Sequence, residues 1–179
     1  MTGLLSLSSG IDRLNTLLGR LCAFLVLAAA LISAGNAARR YLFDQSSNAW
    51  LEIQWYLFGA IVLLGAAETL RRNEHVRVDL IYGNISERKR LWVDIVGIIL
   101  FLLPFTITMA WLCWPVAWRS LVTGEGSTSA GGLIRWPVKM ILPLGFALLS
   151  LQGVSELIKR IAALRGAITV DTTYHKPDQ

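Results

Sequence analysis

The chain has 179 residues, of which 54% are hydrophobic and 16% charged, and its net charge is +5. The apolar residues are gathered into separate blocks, which excludes an ordinary water-soluble domain, and the basic residues are divided among the segments between those blocks. A nucleic-acid surface would need the basic residues on one solvated face, so the charge does not indicate nucleic-acid binding. These features indicate an integral membrane protein.

Four apolar blocks each approach the ~20 residues that a helix needs to cross ~30 Å of hydrocarbon. Because lipid offers no hydrogen-bond partners to the backbone, each block should be a helix. We predict an all-α integral membrane protein with transmembrane helices over residues 17–38, 49–70, 92–118 and 136–158. Residues 1–165 would form one four-helix transmembrane unit, and residues 166–179 a polar cytoplasmic tail.

The first block is preceded by apolar residues at helical spacing, so we predict that its helix begins at about Ile11. The small residues in SAGNAA resemble a signal-peptide cleavage site, but the apolar run is longer than the usual 7–15 residues of such a signal. Ala30, Ala34 and Ala38 recur every four residues, as small residues do on a helix-packing face. We therefore expect the first block to be a retained span.

The distribution of basic residues predicts the orientation. With a cytoplasmic N-terminus, 12 of the 17 Lys and Arg residues lie inside. The remaining five lie outside: Arg39, Arg40, Arg119, Arg135 and Lys139. Cytoplasmic segments carry an excess of basic residues, so both termini are predicted to be cytoplasmic.

The second block carries an acidic residue near each end. Glu52 and Glu68 are 16 positions apart, which is ~24 Å along a helix and ~160° around it, so they cannot form a carboxylate pair. Glu68 precedes Arg71 and Arg72 by three and four positions, a spacing that predicts local ion pairs. Glu52 has no such local partner, so we predict that it contacts another protein.

The loop between the second and third blocks is charged. Its residues Val78, Ile81, Tyr82 and Ile85 have helical spacing, which predicts a short helix on the cytoplasmic membrane surface. His75 and Asp79 would supply at most two metal ligands, fewer than a zinc site needs, so no metal is expected there.

The third block begins after Ser86, a plausible N-cap, and Asp94 lies near the positive end of its helix dipole. Pro104 and Pro115 are predicted to kink this helix or end it locally. The loop that follows is rich in Gly and Ser, which predicts a flexible segment. It lacks the G-x-x-x-x-G-K-[ST] sequence of a phosphate-binding loop.

Several kinds of chemistry are excluded by the residues that are present. The two histidines, His75 and His175, lie outside the apolar blocks, which excludes a haem held between membrane histidines. No block has a charged residue clearly at mid-depth, the usual mark of an ion path. We therefore expect no enzyme activity and no cofactor. A subunit with an unseen partner, a self-sufficient four-helix carrier acting as a homodimer, and an assembly factor all stay open.

The second block and the loop after it resemble a known family. Trp50 and Glu52, the run LGAA over residues 64–67, Arg72, and the segment from His75 to Asp79 are similar to the signature of the small transmembrane (Q-type) subunit of tripartite ATP-independent periplasmic (TRAP) transporters. The final stretch GGLIRWPVKMILPLGFALLSLQGVSELIKRI is also typical of that subunit. Many members have two adjacent acids where this chain has Glu52 alone.

The resemblance implies a multi-pass protein of the bacterial inner membrane, surrounded by lipid, that takes part in sodium-dependent symport. A large membrane subunit would carry the sodium and substrate sites, and a periplasmic binding protein would capture an organic acid. The small subunit would brace the large one. The residues expected at that interface are Trp50, Glu52 and Trp55 at the outer edge and Arg72, His75 and Asp79 at the inner edge. Exposed positive charge at Arg39, Arg40, Arg119 and Arg135 predicts a contact with the binding protein.

Overall fold

The computed structural model describes residues 2–45, 47–74 and 85–169. Within these ranges lie four helices that are long and apolar enough to cross a membrane. They are α1 (Thr2–Phe43), α2 (Asn48–Arg72), α3 (Glu87–Val122) and α4 (Trp136–Leu164). The same ranges contain no strand, and an isolated β-bridge joins Gly126 to Ile134. The predicted all-helical membrane architecture is confirmed.

Two predictions concern residues that are not described. The helix on the membrane surface falls mainly on residues 75–84, and most of the polar tail falls on residues 170–179; both ranges lie outside the described residues. The orientation of the termini also stays a prediction. We name the helix ends accordingly: the inner end carries Arg72 and Leu164, and the outer end carries Phe43 and Trp136.

The first helix begins at Thr2, so the prediction of a start at about Ile11 was wrong. Its 42 residues extend over roughly 63 Å, about twice the thickness of the hydrocarbon. Ser8 and Asn15 are buried, and both form hydrogen bonds with α4. Tertiary packing of this kind stabilises helical turns that apolar spacing alone does not indicate.

The third helix continues through both of its prolines. Residues Ile98–Leu102 form a π-helical segment just before Pro104, and the N–H of Leu103 donates to the carbonyl of Ile98. Pro104 has no N–H to donate, and the wider π turn rearranges the hydrogen-bond ladder around it. Pro115 lies inside the helix, which ends at Val122. The prolines therefore do not end the helix.

The fourth helix is the central element, because it packs against α1, α2 and α3. It approaches α2 closely at Gly145, where an added Cβ would lie 2.7 Å from the Cβ of Leu63 and 3.0 Å from its carbonyl oxygen. Gly153 allows a similar approach to Leu102 and Leu103 of α3. Small residues at such positions let membrane helices come into van der Waals contact.

The distribution of side chains is the reverse of that in a soluble protein. The largest fully buried side chains are polar and include Asn15, Gln152 and Thr106. Large apolar side chains lie on the surface, with Phe101 72% and Trp111 74% exposed. An apolar exterior around polar helix contacts is the arrangement that a lipid environment favours.

Candidate functional site

A buried polar cluster joins the inner ends of three helices. We call it the inner cluster; it consists of Asp12 and Asn15 of α1, Asp94 of α3, and Gln152, Ser155, Glu156, Lys159 and Arg160 of α4. The amide of Asn15 donates to Gln152 Oε1 at 2.7 Å, and both side chains are fully buried. Gln152 Nε2 then donates to Asp12 Oδ1 and to Glu156 Oε1, each at 2.9 Å. One amide therefore connects acids on two helices.

The basic side chains of the inner cluster complete these connections. Lys159 Nζ lies 3.1 Å from Asp12 Oδ2 and also contacts Glu156. Arg160 is 5% exposed; its Nε donates to Asp94 Oδ2 at 2.8 Å, and its Nη1 donates to Glu156. Buried charges are tolerated when they are paired and hydrogen-bonded, as these are. The inner cluster thereby ties α1 and α3 to α4.

The position of Asp94 predicts an interaction with the dipole of α3, but the structure shows a closer interaction. Asp94 is the eighth residue of that helix, counted from Glu87, and the dipole effect falls off within the first turn. Its ion pair with Arg160 is the closer interaction. Ser86 is the N-cap residue of α3, but its side chain forms no capping hydrogen bond.

The predicted ion pairs of Glu68 are confirmed. Arg71 donates to the carboxylate through two nitrogens and Arg72 through Nε, each at 2.7 Å. Glu68 is buried against α1 because position 19 is glycine; an added Cβ there would lie 2.6 Å from Glu68 Cγ. Gly19 thus makes room for the carboxylate between the two helices.

Glu52, by contrast, has a partner within the chain that local spacing does not reveal. The backbone N–H of Leu133 donates to Glu52 Oε2 at 2.6 Å, and the hydroxyl of Ser127 donates to Glu52 Oε1. Both donors lie in the segment 123–135, which we call the outer loop. The carboxylate therefore holds the outer loop against the outer end of α2.

The outer loop is hydrogen-bonded in several places, although its composition predicted flexibility. Ser127 N–H donates to the carbonyl of Leu133 at 2.9 Å, and Arg135 N–H donates to that of Glu125 at 2.8 Å. Gly124 and Gly131 have φ values of +58° and +69°, a region that favours glycine. The glycines therefore form the turns of a defined loop.

A second contact fixes the outer loop to α4. Lys139 Nζ lies 2.5 Å from Glu125 Oε2. This hydrogen bond and the charge of Lys139 hold the pKa of Glu125 below its ordinary value. The side chain of Asn48 also donates to the carbonyl of Ala130 at 2.9 Å, which adds a contact from α2.

Those residues predicted to bind a large subunit that the structure describes lie at both ends of α2. Trp50 is partly buried, with its ring 3.2 Å from where a Cβ on Gly35 would be. Trp55 is 74% exposed, and the side chain of Arg72 is 52% exposed although it is bonded to Glu68. His75 and Asp79 lie outside the described residues. The structure therefore leaves Trp55 and part of Arg72 accessible.

The four outer arginines lie at the outer ends of α1, α3 and α4. Arg40 and Arg119 are exposed. Arg39 donates to Gln45 Oε1 at 3.0 Å, and Arg135 donates to Thr128 Oγ1 at 3.3 Å. All four contribute positive charge at the outer end, and Arg39 and Arg135 also form hydrogen bonds within the chain.

The inner cluster is the part of the site that sequence reasoning missed. A signal for it exists: Gln152, Ser155, Glu156 and Lys159 recur at i, i+3, i+4 and i+7, a polar stripe on one face of an apolar helix. Ser8, Asp12 and Asn15 make a matching stripe on α1. Two facing polar stripes predict a buried network, but only helix packing shows that they meet.

Comparison with known proteins places the chain in a family. A family model described as "Tripartite ATP-independent periplasmic transporters, DctQ component" matches residues 29–163, about three quarters of the chain. No curated protein and no solved structure matches it. The matched residues include Glu52 and the outer loop that it holds, and Gln152 and Arg160 of the inner cluster. The chain therefore belongs to the DctQ family and is the small membrane component of a tripartite ATP-independent periplasmic transporter.

Proposed function

We propose that this chain is a rigid brace for the large, sodium-coupled subunit of its transporter, and that the complex takes up an organic acid delivered by a periplasmic binding protein. The chain would sit in the bacterial inner membrane with both termini in the cytoplasm. The excess of basic residues in the predicted cytoplasmic segments supports this orientation.

The observation that carries the proposal is how the chain uses its charged side chains. Near the inner end, Asp12, Asp94 and Glu156 bind Lys159 and Arg160 across three helices. Near the outer end, Glu52 and Lys139 hold the outer loop. Groups that lock helices together are suited to a static frame rather than to a moving ion path. A frame of this kind resists tilting while a neighbouring subunit moves.

The docking surface that we propose runs along α2. Trp55 at the outer edge and Arg72 at the inner edge are about 25 Å apart along the helix, and both are partly or largely exposed. Trp50 and Glu52 would support the outer edge by positioning α2 and the outer loop, and His75 and Asp79 would extend the inner edge. Aromatic and arginine side chains are the residues most often dominant in protein interfaces.

The first experiment is affinity purification of the tagged chain from its native membrane in mild detergent. We expect a membrane protein with many more spans to be recovered in a fixed ratio. Recovery of the chain alone, or as a homodimer, would contradict the proposal and favour a self-sufficient carrier. Such a carrier would also transport solute when reconstituted alone.

The same experiment tests the docking surface with a matched pair of variants. Trp55 and Trp111 are both 74% exposed, but they lie on α2 and α3. Trp55→Ala should lower recovery of the large subunit several-fold, whereas Trp111→Ala should leave it unchanged. Equal recovery with both variants would move the interface away from the outer edge of α2.

A further inference from the structure

A groove lies between α1 and α2 in their inner half. Its volume is about 610 Å³, within the range of small-molecule sites. We call it the inner groove. It exists because small residues face each other across the two helices: Gly19 and Ala23 of α1, and Gly65 and Ala66 of α2. At Gly65 an added Cβ would reach ordinary van der Waals contact, 3.8 Å from Cys22 Sγ, so a methyl group would fit there.

The two ends of the inner groove differ in chemistry. Toward the membrane centre its walls are apolar and include Val26, Ile61 and Val62. At the inner end it is lined by Arg20 and Arg72 and by the acids Glu68 and Glu74. A cavity of about 350 Å³ adjoins this end and is lined by Arg13 and Arg71 and by one acid, Asp12. The groove is thus apolar along its length and charged at its mouth, where four arginines and three acids line the two cavities.

The positive charge at the mouth is only partly neutralised. Arg71 and Arg72 share one carboxylate, that of Glu68. Glu74 is exposed and 4.0 Å from Arg72. Arg20 forms no ion pair with any residue in the described part of the chain, and Arg72 donates to Glu68 through Nε. A ligand with a negative charge next to an apolar chain would match both ends.

We infer that the inner groove binds an anionic glycerophospholipid. Its phosphate would lie between Arg20 and Arg72, and one acyl chain would lie along Ala23, Val26 and Ile61. Guanidinium groups bind phosphate oxygens through paired hydrogen bonds, and basic pockets between membrane helices are known to hold lipid headgroups. The apolar walls argue against a water-soluble anion. Lipid binding goes beyond the bracing role and shares Arg72 with the proposed docking surface. In the proposed orientation the inner groove faces the cytoplasmic leaflet.

The test uses the full chain in mild detergent, titrated with dioleoyl phosphatidylglycerol and, separately, dioleoyl phosphatidylcholine, with bound lipid counted by native mass spectrometry. Phosphatidylglycerol should bind more tightly, because phosphatidylcholine carries a compensating cation. Arg20→Gln should weaken phosphatidylglycerol binding about fivefold, the effect of one basic residue near an anionic lipid. Arg40→Gln, at the outer end, is the matched control and should have no effect.

A second variant separates the groove from general charge attraction. Ala23 is exposed and lines the groove, so Ala23→Leu fills space without changing a charge or the packed core. It should also weaken phosphatidylglycerol binding. Equal binding of the two lipids, equal effects of Arg20→Gln and Arg40→Gln, or no effect of Ala23→Leu would each overturn the inference. Loss of lipid from the chain once the large subunit is bound would show instead that a protein segment fills the groove.

Discussion

Glu52 and Glu68 lie near opposite ends of α2, and each accepts hydrogen bonds from the chain itself. A carboxylate in an apolar helix is costly unless a cation or hydrogen-bond donors compensate it. Glu68 finds its cations three and four residues away on the same helix. Glu52 finds its donors in the outer loop, more than seventy positions along the chain. The first arrangement follows from spacing, whereas the second requires the fold.

Glu52→Gln tests the clamp on the outer loop. The glutamine oxygen can still accept from the Leu133 N–H and its amide can donate to the Ser127 hydroxyl oxygen, but these neutral hydrogen bonds are about half as strong as those to a carboxylate. We expect trypsin to cleave after Arg135 several-fold faster in the variant, because the loop opens more often. Glu74→Gln removes an exposed acid that does not touch the outer loop and is the control. Unchanged cleavage in Glu52→Gln would show that the clamp does not order the loop.

Glu125 gives the outer loop a dependence on pH. Its pKa is lowered from the ordinary 4.5, chiefly by the hydrogen bond from Lys139. A lowered pKa means that the contact stabilises the fold fully above pH 4.5 and is lost as the pH falls through the lowered value. A carbon-13 NMR titration of the Glu125 carboxyl should give a midpoint below 4.5. Lys139→Gln should raise that midpoint, and Arg40→Gln should not; a midpoint unaffected by Lys139→Gln would contradict this pairing.

At the scale of the elements, packing constrains the sequence of α4 most, because this helix contacts α1, α2 and α3. It combines close contacts at Gly145 and Gly153 with a polar stripe at its inner end. The small residues set the distance between helices, and the polar stripe sets their register. A shift of α1 by one turn along α4 would break the contact between Asn15 and Gln152.

The close approach at Gly145 predicts a specific loss of stability. Gly145→Ala places a methyl group against Leu63, and overpacking of this kind costs about 1–3 kcal/mol. Gly97→Ala is the matched control, since nothing lies within 4 Å of an added Cβ there. The control should be neutral or slightly stabilising, because Ala favours a helix over Gly. Unfolding titrations in SDS measure both, and equal stability of the two variants would mean that α2 and α4 can separate without cost.

Substitution of Arg160 is predicted to lower the stability of the fold more than substitution of any other residue of the inner cluster. Arg160→Met removes the buried cation that Asp94 and Glu156 share, and breaking a buried ion pair typically costs about 3–5 kcal/mol, although Glu156 keeps its contact with Lys159. Adding Asp94→Asn should recover part of that loss, giving a coupling of about 0.5–3 kcal/mol in a double-mutant cycle. Arg165→Met, at an exposed position just beyond α4, should be nearly neutral. Strictly additive losses would show that Arg160 and Asp94 do not act as a pair.

At the scale of the whole molecule, the described helices form a frame with an apolar exterior, which suits a subunit held between lipid and a larger partner. Uptake should therefore require all components. Proteoliposomes with the large subunit and this chain should take up an organic acid when the binding protein and an inward sodium gradient are supplied. Omitting the chain should abolish uptake or reduce it at least tenfold. Full uptake without it would refute the bracing role.

Sequence patterns alone sufficed to predict an all-helical membrane protein with four long apolar helices, the ion pairs of Glu68 and the family. These properties depend on apolar blocks and on contacts within one or two helical turns. Within that range, the number of residues between two side chains determines how far apart they lie on the helix. Only the packed helices show that α4 is central, that α1 starts at Thr2 and that α3 runs through its prolines. They also show that Glu52 and Arg160 bind distant partners. The physical reason is that lipid solvates every apolar helix face about equally, so hydropathy does not choose among helix arrangements. Small-residue contacts and buried polar pairs make that choice, and they form only when the helices meet.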